Sequence, residues 1–329
     1  MVIDFSDSPR VIANFDGNDE KIHVVHQGAY YLLKFGEPLD YVPNNPNLTS
    51  YLNSTVSEYV GSHVYNALGI ASHETILGTY RGRQVVACRN FMKDSYPDNR
   101  LVSFQSIEHS YIGSSERKRA PKYEHICRLF ETSWEFAPIR KEAVDRYWDM
   151  FVVDALIAHG DRHGGNWGYI ADADETRLLC VAPVYDNASS FYPRLSEAAM
   201  DSISFDKQEM TQRSLTFPKA TLSFDDQKVH YHRFLLTKEG FAARERLYRL
   251  SDRLDELDIA SLCEGAEVIS DAQIRYFEQM LLNREAIILA PAYELYCKEL
   301  GIKPSHEWYS NAEEYLRDEN RHTDDPGWE

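Results

Sequence analysis

The chain has 329 residues, 43% of them hydrophobic and 12% aromatic, enough apolar material for a sizeable core and too much for a disordered protein. That length points to two lobes or two modest domains. The 35 Lys and Arg against 52 Asp and Glu leave a formal net charge of -17, which excludes nucleic acid and anionic membranes as expected main partners.

Five cysteines, Cys88, Cys127, Cys180, Cys263 and Cys297, stand far apart with no C-x-x-C pair. They read as reduced residues of a cytoplasmic protein. The segment Met1–Arg10 holds two Asp and no apolar core of signal length. No apolar run reaches the roughly 18 residues of a membrane span. A cytoplasmic monomer is expected.

In chain order, the loop Asn14–Glu20 leads into two β-rich runs, Ile22–His26 and Tyr30–Phe35, which form a hairpin around Gln27-Gly28-Ala29. Pro38–Asn47 reads as loop. A helix follows: Thr55 and Glu58 have capping-box spacing, Val56, Val60, Val64 and Leu68 share a face, and Gly69 is the stop. Glu74–Tyr80 and Gln84–Phe91 form a second hairpin around Arg81-Gly82-Arg83. The first ninety or so residues therefore read β-β-α-β-β, a small, mostly antiparallel sheet with one helix.

Met92–Pro121 is polar and Ser-rich, and its basic run Glu116-Arg117-Lys118-Arg119 reads as a solvated loop. The rest is mainly helical. A helix over Lys141–His159 carries Val144, Trp148, Phe151, Val152, Ala155 and Leu156 at helical spacing. Short strands Trp167–Ile170 and Leu178–Val184 straddle an acidic turn, and two or three helices lie between Asp225 and Lys298. The expected division is an N-lobe over 1–92, a C-lobe over 93–310 and a charged tail over 311–329.

The most informative run is His159-Gly160-Asp161-Arg162-His163-Gly164-Gly165-Asn166, with Val184-Tyr185-Asp186-Asn187 downstream. Phosphoryl transfer asks a protein to hold phosphates, neutralise charge with a metal and aim a nucleophile. Asp161 at a glycine-rich turn suits a general base, with Gly160, Gly164 and Gly165 making the turn feasible. Asn166 and Asp186 offer hard oxygen ligands for Mg²⁺. Lys34, a charge in the apolar strand Tyr30–Phe35, suits the phosphates of ATP, with Glu58 on the single helix as its ion-pair partner. Gly17 and Asn18 lie where a phosphate loop belongs, although one glycine makes a weak loop.

These residues resemble the HipA-like kinase family, in particular its short single-chain members. The resemblance rests on His159-Gly160-Asp161-x-His163-x-x-Asn166 and on Ala182-Pro183-Val184-Tyr185-Asp186-Asn187-Ala188-Ser189-Ser190. It extends to Tyr31–Phe35, Ser57–Val60, Leu77–Tyr80, Val85–Cys88 and Trp148–Phe151. It implies an α+β bilobal protein-kinase-like fold and Mg²⁺-ATP-dependent Ser/Thr phosphorylation of protein substrates, often with autophosphorylation. It implies Asp161 as catalytic base, Asn166 and Asp186 on Mg²⁺, Lys34 on phosphates with Glu58 positioning it, and Arg89–Phe91 as the hinge that meets adenine. His159 and His163 are expected to pack and orient the loop.

Two departures stand out. Several kinases of the family carry an autophosphorylated serine in the phosphate loop, and no Ser or Thr occurs here between Ser8 and Thr49. The chain is also expected to lack the extra N-terminal subdomain of the full-length toxins, so antitoxin pairing is not implied.

Other readings stay open. His-Gly-Asp-x-x-x-x-Asn is also similar to aminoglycoside and choline phosphotransferases, and Gly-Asp-Arg-His-x-x-Asn to phosphatidylinositol kinases. His159-x-Asp161-x-His163 could hold Zn²⁺ in a hydrolase, and a pseudokinase interaction module is a further class. The Ser-rich segment Ser103–Ser115 is a candidate autophosphorylated loop.

Overall fold

A computed structural model describes residues 2–11, 21–36, 53–112 and 120–305. The N-terminal part builds a six-stranded sheet from β1 (Ile3–Asp4), β2 (Arg10–Val11), β3 (Lys21–His26), β4 (Ala29–Phe35), β5 (Thr75–Tyr80) and β6 (Arg83–Arg89). Its order is β1-β5-β6-β4-β3-β2, antiparallel except for the β1–β5 pair. Both expected hairpins form, closed by the left-handed pairs Gln27-Gly28 and Arg81-Gly82. The short edge strands β1 and β2 were not expected: two residues each are too few to show an alternation.

The period of two along β4 and β6 sorts side chains onto two faces. Tyr31, Leu33, Val85 and Ala87 pack with Phe5, Val24 and Tyr80 in a small core on one face. Leu32, Val86 and Cys88 face the other way and join α1 (Ser54–Ala67). Lys34 follows Leu32 by two positions and shares that face. The helix stops where expected, because Gly69 takes φ 74° and Ile70 N–H reaches back to Tyr65 O at 2.9 Å. The expected capping box does not form. Asn53 is the N-cap, without a side-chain cap, and the Glu58 carboxylate is drawn to Lys34 instead.

Beyond β6 the polar, Ser-rich stretch takes up regular structure. It forms α2 (Phe91–Ser95), β7 (Arg100–Ser103) and α3 (Phe104–Ile112). The Ser-rich segment is thus helical through Ile112, and its remainder with the basic run 116–119 lies outside the described residues. Next come α4 (Tyr123–Thr132) and α5 (Arg140–Leu156). The expected Lys141–His159 helix ends three residues early, because Ala158 takes φ 54° and turns the chain. Strand β8 (Gly168–Ala171) pairs with β7 on one side and β9 (Leu178–Val181) on the other in a three-stranded sheet, and β9 stops short of the expected Val184.

The remainder holds α6 (Glu197–Ser204), α7 (Lys207–Thr216), the hairpin β10 (Lys219–Phe224) and β11 (Gln227–His230), then α8 (Tyr231–Leu235), α9 (Phe241–Asp255) and α10 (Ile259–Cys263). It finishes with α11 (Asp271–Arg284), which runs through a π-helical turn at Glu285–Leu289 into α12 (Ala290–Leu300). That is more helices than expected, together with a hairpin that a mainly helical reading did not include. One apolar core joins α1 and the β5–β6 face to α5, α9 and α11. Among the described residues no helix is long and apolar enough to cross a membrane.

Candidate active site

Between sheet and helices lies a cleft of about 930 Å³, within the range of small-molecule and cofactor sites. Lys34, Cys88, Arg89, Phe91, Asn166, Tyr185 and Asp186 are among its walls. Strand β4 carries Lys34 in, and Lys34 Nζ donates to Glu58 Oε2 and Asp186 Oδ1, each at 2.7 Å. Glu58 is fully buried and takes two further donors on Oε1, His73 Nε2 at 2.8 Å and Asn187 N at 3.0 Å. Burial opposes charge on Glu58, but Lys34 and then His73 outweigh it and hold the carboxyl well below its ordinary range. Burial likewise opposes the charge on Lys34, and Glu58 and Asp186 raise it well above its ordinary value. Asp186 is lowered: burial is again the largest influence, and the Lys34 charge overcomes it.

The loop after α5 is held from below by Arg162, which sequence reasoning left unassigned. Its buried guanidinium donates to both Asp154 oxygens at 3.0 Å, to Tyr185 O at 2.7 Å and to Asn187 Oδ1 at 2.6 Å. Burial works against this cation and Asp154 more than compensates. Tyr65 of α1 donates to Asp154 Oδ1 at 2.7 Å, so the helix under the sheet and the loop share one buried carboxylate. Asp154 in the apolar stretch Met150–Leu156 was the available signal for this pair, since a carboxylate there needs a buried partner.

His159 is fully buried. Its Nδ1 accepts from Asp161 N at 3.3 Å and its Nε2 donates to Asp186 O at 3.1 Å. Burial first, and Arg162 second, depress its pKa, so the ring is neutral with the proton on Nε2. His163 is exposed and its Nδ1 accepts from Gly165 N at 3.1 Å. The two rings have separate partners and do not converge on a metal. The Asp161 carboxylate is exposed, with no hydrogen-bond partner among the described residues. Asn166 donates from Nδ2 to Asp161 O at 2.9 Å, which leaves its Oδ1 uncommitted. An amide oxygen and a carboxylate at one end of the cleft form a hard donor set that fits a divalent cation.

The glycines of the loop differ from expectation. Gly160, Gly164 and Gly165 do not take left-handed conformations. Gly164 is small for packing, because a Cβ there would stand 2.9 Å from Gln105 N on α3. Arg89 and Phe91 do border the cleft, but Arg89 N donates to Glu74 O and its side chain pairs with Glu74 and Asp94. Phe91 opens α2, so its amide has no intrahelical acceptor, and its ring lies 6.3 Å from that of Tyr185 across the cleft. Gly17 and Asn18 lie outside the described residues.

A small curled sheet with one helix, set over a helical lobe and joined to it through Lys34, Glu58 and Asp186, is a protein-kinase-like fold of the α+β class. Residues 13–254 match the HipA-like C-terminal domain family, and the chain belongs to that family. Serine/threonine-protein kinase CtkA of Helicobacter pylori (strain J99 / ATCC 700824) is 29% identical over 312 residues, covering 94% of this chain and 93% of that protein. The crystal structure of a Helicobacter pylori proinflammatory kinase CtkA matches with TM-score 0.80 and 26% identity, over 92% of this chain and 100% of that one. A Shewanella oneidensis MR-1 HipA in complex with HipB and operator DNA shares the fold, with TM-score 0.53 and 12% identity over 90% of this chain and 68% of that one.

Proposed function

We propose that Asp161, Asn166, Asp186, Lys34 and Glu58 carry the phosphoryl transfer of this chain, which is a HipA-like serine/threonine protein kinase using ATP and a divalent metal. The metal is Mg²⁺ and the acceptor is a hydroxyl of a protein. The N-lobe spans 1–92 and the C-lobe 93–310, with the cleft between them. The observation that carries this reading is the double bridge of Lys34 to Glu58 and Asp186, with Asn166 and Asp161 beside it on one loop.

Lys34 and the Phe91–Tyr185 slot suit the two ends of a nucleotide, phosphate and adenine respectively. Asn166 and Asp186 would hold the metal, which would supply positive charge to offset that of the nucleotide phosphates. Asp161 accepts the proton of the acceptor hydroxyl as its oxygen bonds to the γ-phosphorus and the bond to the β-phosphate oxygen breaks. ADP leaves and the proton stays on the Asp161 carboxylate until water removes it. Neutral His159 keeps the Asp161 amide and the Asp186 carbonyl in register.

The rival acceptor is a small alcohol, as in aminoglycoside and choline phosphotransferases. Incubation with γ-labelled ATP and Mg²⁺, with whole-lysate protein in one arm and small alcohols in another, separates the two. Phosphoserine or phosphothreonine in protein hydrolysates is the expected outcome. Label confined to small alcohols would overturn the protein-kinase reading.

A further inference from the structure

Beside the catalytic loop, on a stretch absent from the walls of the nucleotide cleft, one aromatic ring is held out to solvent. Phe217 is 60% exposed, yet its backbone is fixed at both ends. Its amide donates to Arg213 O at 2.8 Å, and its carbonyl accepts from Tyr192 Oη at 2.6 Å. Tyr192 in turn accepts from Arg284 Nη1 at 3.1 Å, and Arg284 is fully buried, donating also to Ala155 O at 2.6 Å in the last turn of α5. Phe191 and Tyr192 both take left-handed φ, 57° and 53°, which bulky residues adopt only when their surroundings impose it. The anchor under Phe217 is therefore built through strained backbone, and the ring above it stands mostly in solvent.

The position of this ring ties it to acceptor binding. Pro218, the next residue, packs on the loop itself: a Cβ at Gly160 would stand 3.1 Å from Pro218 Cβ, and Gly160 precedes Asp161. An extended peptide advances about 3.3 Å per residue. Phe217 adjoins the residue that packs on Gly160, so a peptide with its hydroxyl at Asp161 has Phe217 within reach of a residue a few positions from the acceptor. The buried Tyr192 ring supports that of Phe217 from beneath, with centroids 6.0 Å apart.

We propose that Phe217 is a specificity-determining residue, an aromatic platform that takes a large apolar side chain flanking the acceptor Ser or Thr of the protein substrate. This rests on the kinase reading above. The occupant is an extended segment of substrate protein, because the platform continues the surface of the site that must already admit such a segment. A small alcohol would not reach it.

The test uses the full chain with Mg²⁺-ATP and a peptide library in which one Ser sits in an Ala background and a single Leu is moved through about three positions on either side. Wild type is expected to favour Leu at one position, with KM about tenfold below the all-Ala peptide. Phe217→Ala is expected to lose that preference while the KM for ATP changes less than about twofold, and Phe217→Leu to restore most of it. Equal flanking preference in wild type and Phe217→Ala, with both variants melting like wild type, overturns the proposal. Wild-type preference for no apolar flank overturns it too. Failure of wild type to label any peptide or lysate protein would instead overturn the kinase reading, and this inference with it.

Discussion

Lys34 Nζ lies 2.7 Å from Asp186 Oδ1, joining residues 152 positions apart across the cleft. The same nitrogen holds Glu58, so one cation ties β4, α1 and the segment after β9 together. Lys34 is 16% exposed and Asp186 39%, so the Asp186 contact is the more open of the two to solvent and ligand. Replacing Lys34 by Met removes the proposed phosphate contact and leaves the fully buried Glu58 without its main counter-charge. Transfer, as kcat/KM for ATP, should fall by about 100-fold or more. Retention of wild-type kcat/KM would remove Lys34 from the mechanism.

His73 is the second fixture of Glu58. Its backbone amide donates to Val184 O at 2.9 Å while its ring holds Glu58 Oε1. It therefore links the helix carboxylate to the strand segment leading to Asp186. His73→Leu should cost about 1–3 kcal/mol of stability through the lost buried bond. It should also raise the KM for ATP more than it lowers kcat, and His73→Gln should recover part of both. Denaturant melts and nucleotide-dependent kinetics check this, and an unchanged melt together with unchanged KM would contradict it.

The Arg162–Asp154 pair supports the catalytic loop from inside. Arg162→Met leaves Asp154, 2% exposed, as an uncompensated charge, which costs about 3–5 kcal/mol. Asp154→Asn with Arg162 intact should be similarly harmful. Urea denaturation of the single and double variants measures the coupling between them, and additive losses would show that the pair does not act as a unit.

His159 and His232 should withdraw stability on the acid side of neutrality. Burial lowers His159, and lowers His232 from 6.5 to about 4 with help from the neighbouring His230. Groups with lowered pKa bind fewer protons folded than unfolded, so their contribution is intact above 6.5 and lost as pH falls toward the folded value. Glu58 and Asp186, also lowered, hold until pH drops below their ordinary values of 4.5 and 3.8. Lys34, raised, keeps its contribution up to its ordinary 10.5 and loses it only above that. Glu108, raised by burial from 4.5 to about 7, gains stability as pH falls over the same window and acts against the histidines. The His232 share, on the order of 1 kcal/mol between pH 7.5 and 5, is therefore read by comparing wild type with a His232 variant. His232→Gln should lose less stability than wild type between pH 7.5 and pH 5, and an identical pH dependence in the two would refute the assignment.

The pairing of Lys34 with Glu58 was legible because a charge in an apolar strand and a carboxylate on the one helix of a small sheet have few other uses. The loop 159–166 was legible because its His, Asp and Asn fall within one stretch of eight residues. The fixtures beneath were not. His73 meets Glu58 from 15 positions away and the Asn187 amide meets it from 129, and no periodicity reports such a meeting. The capping-box reading of Thr55 and Glu58 failed for the same reason, since both are buried and have distant partners: Glu58 takes Lys34, and the Thr55 hydroxyl accepts from Gln84 Nε2 at 2.9 Å. The end of α5 was overestimated because Ala158 carries no turn signature, although it takes the left-handed turn that Gly160 does not. The β10–β11 hairpin turns at Asp225-Asp226, with φ 49° and 60°, a turn pair whose strands were hidden in a stretch read as helical.

The central claim is that Asp161 accepts the proton of a protein hydroxyl. Its most direct test is single-turnover transfer from γ-labelled ATP to lysate protein by wild type and Asp161→Asn, with nucleotide affinity measured on the same preparations. Asp161→Asn should bind Mg²⁺-ATP with near wild-type affinity and transfer at least about 100-fold more slowly. Transfer at the wild-type rate by Asp161→Asn would contradict the account.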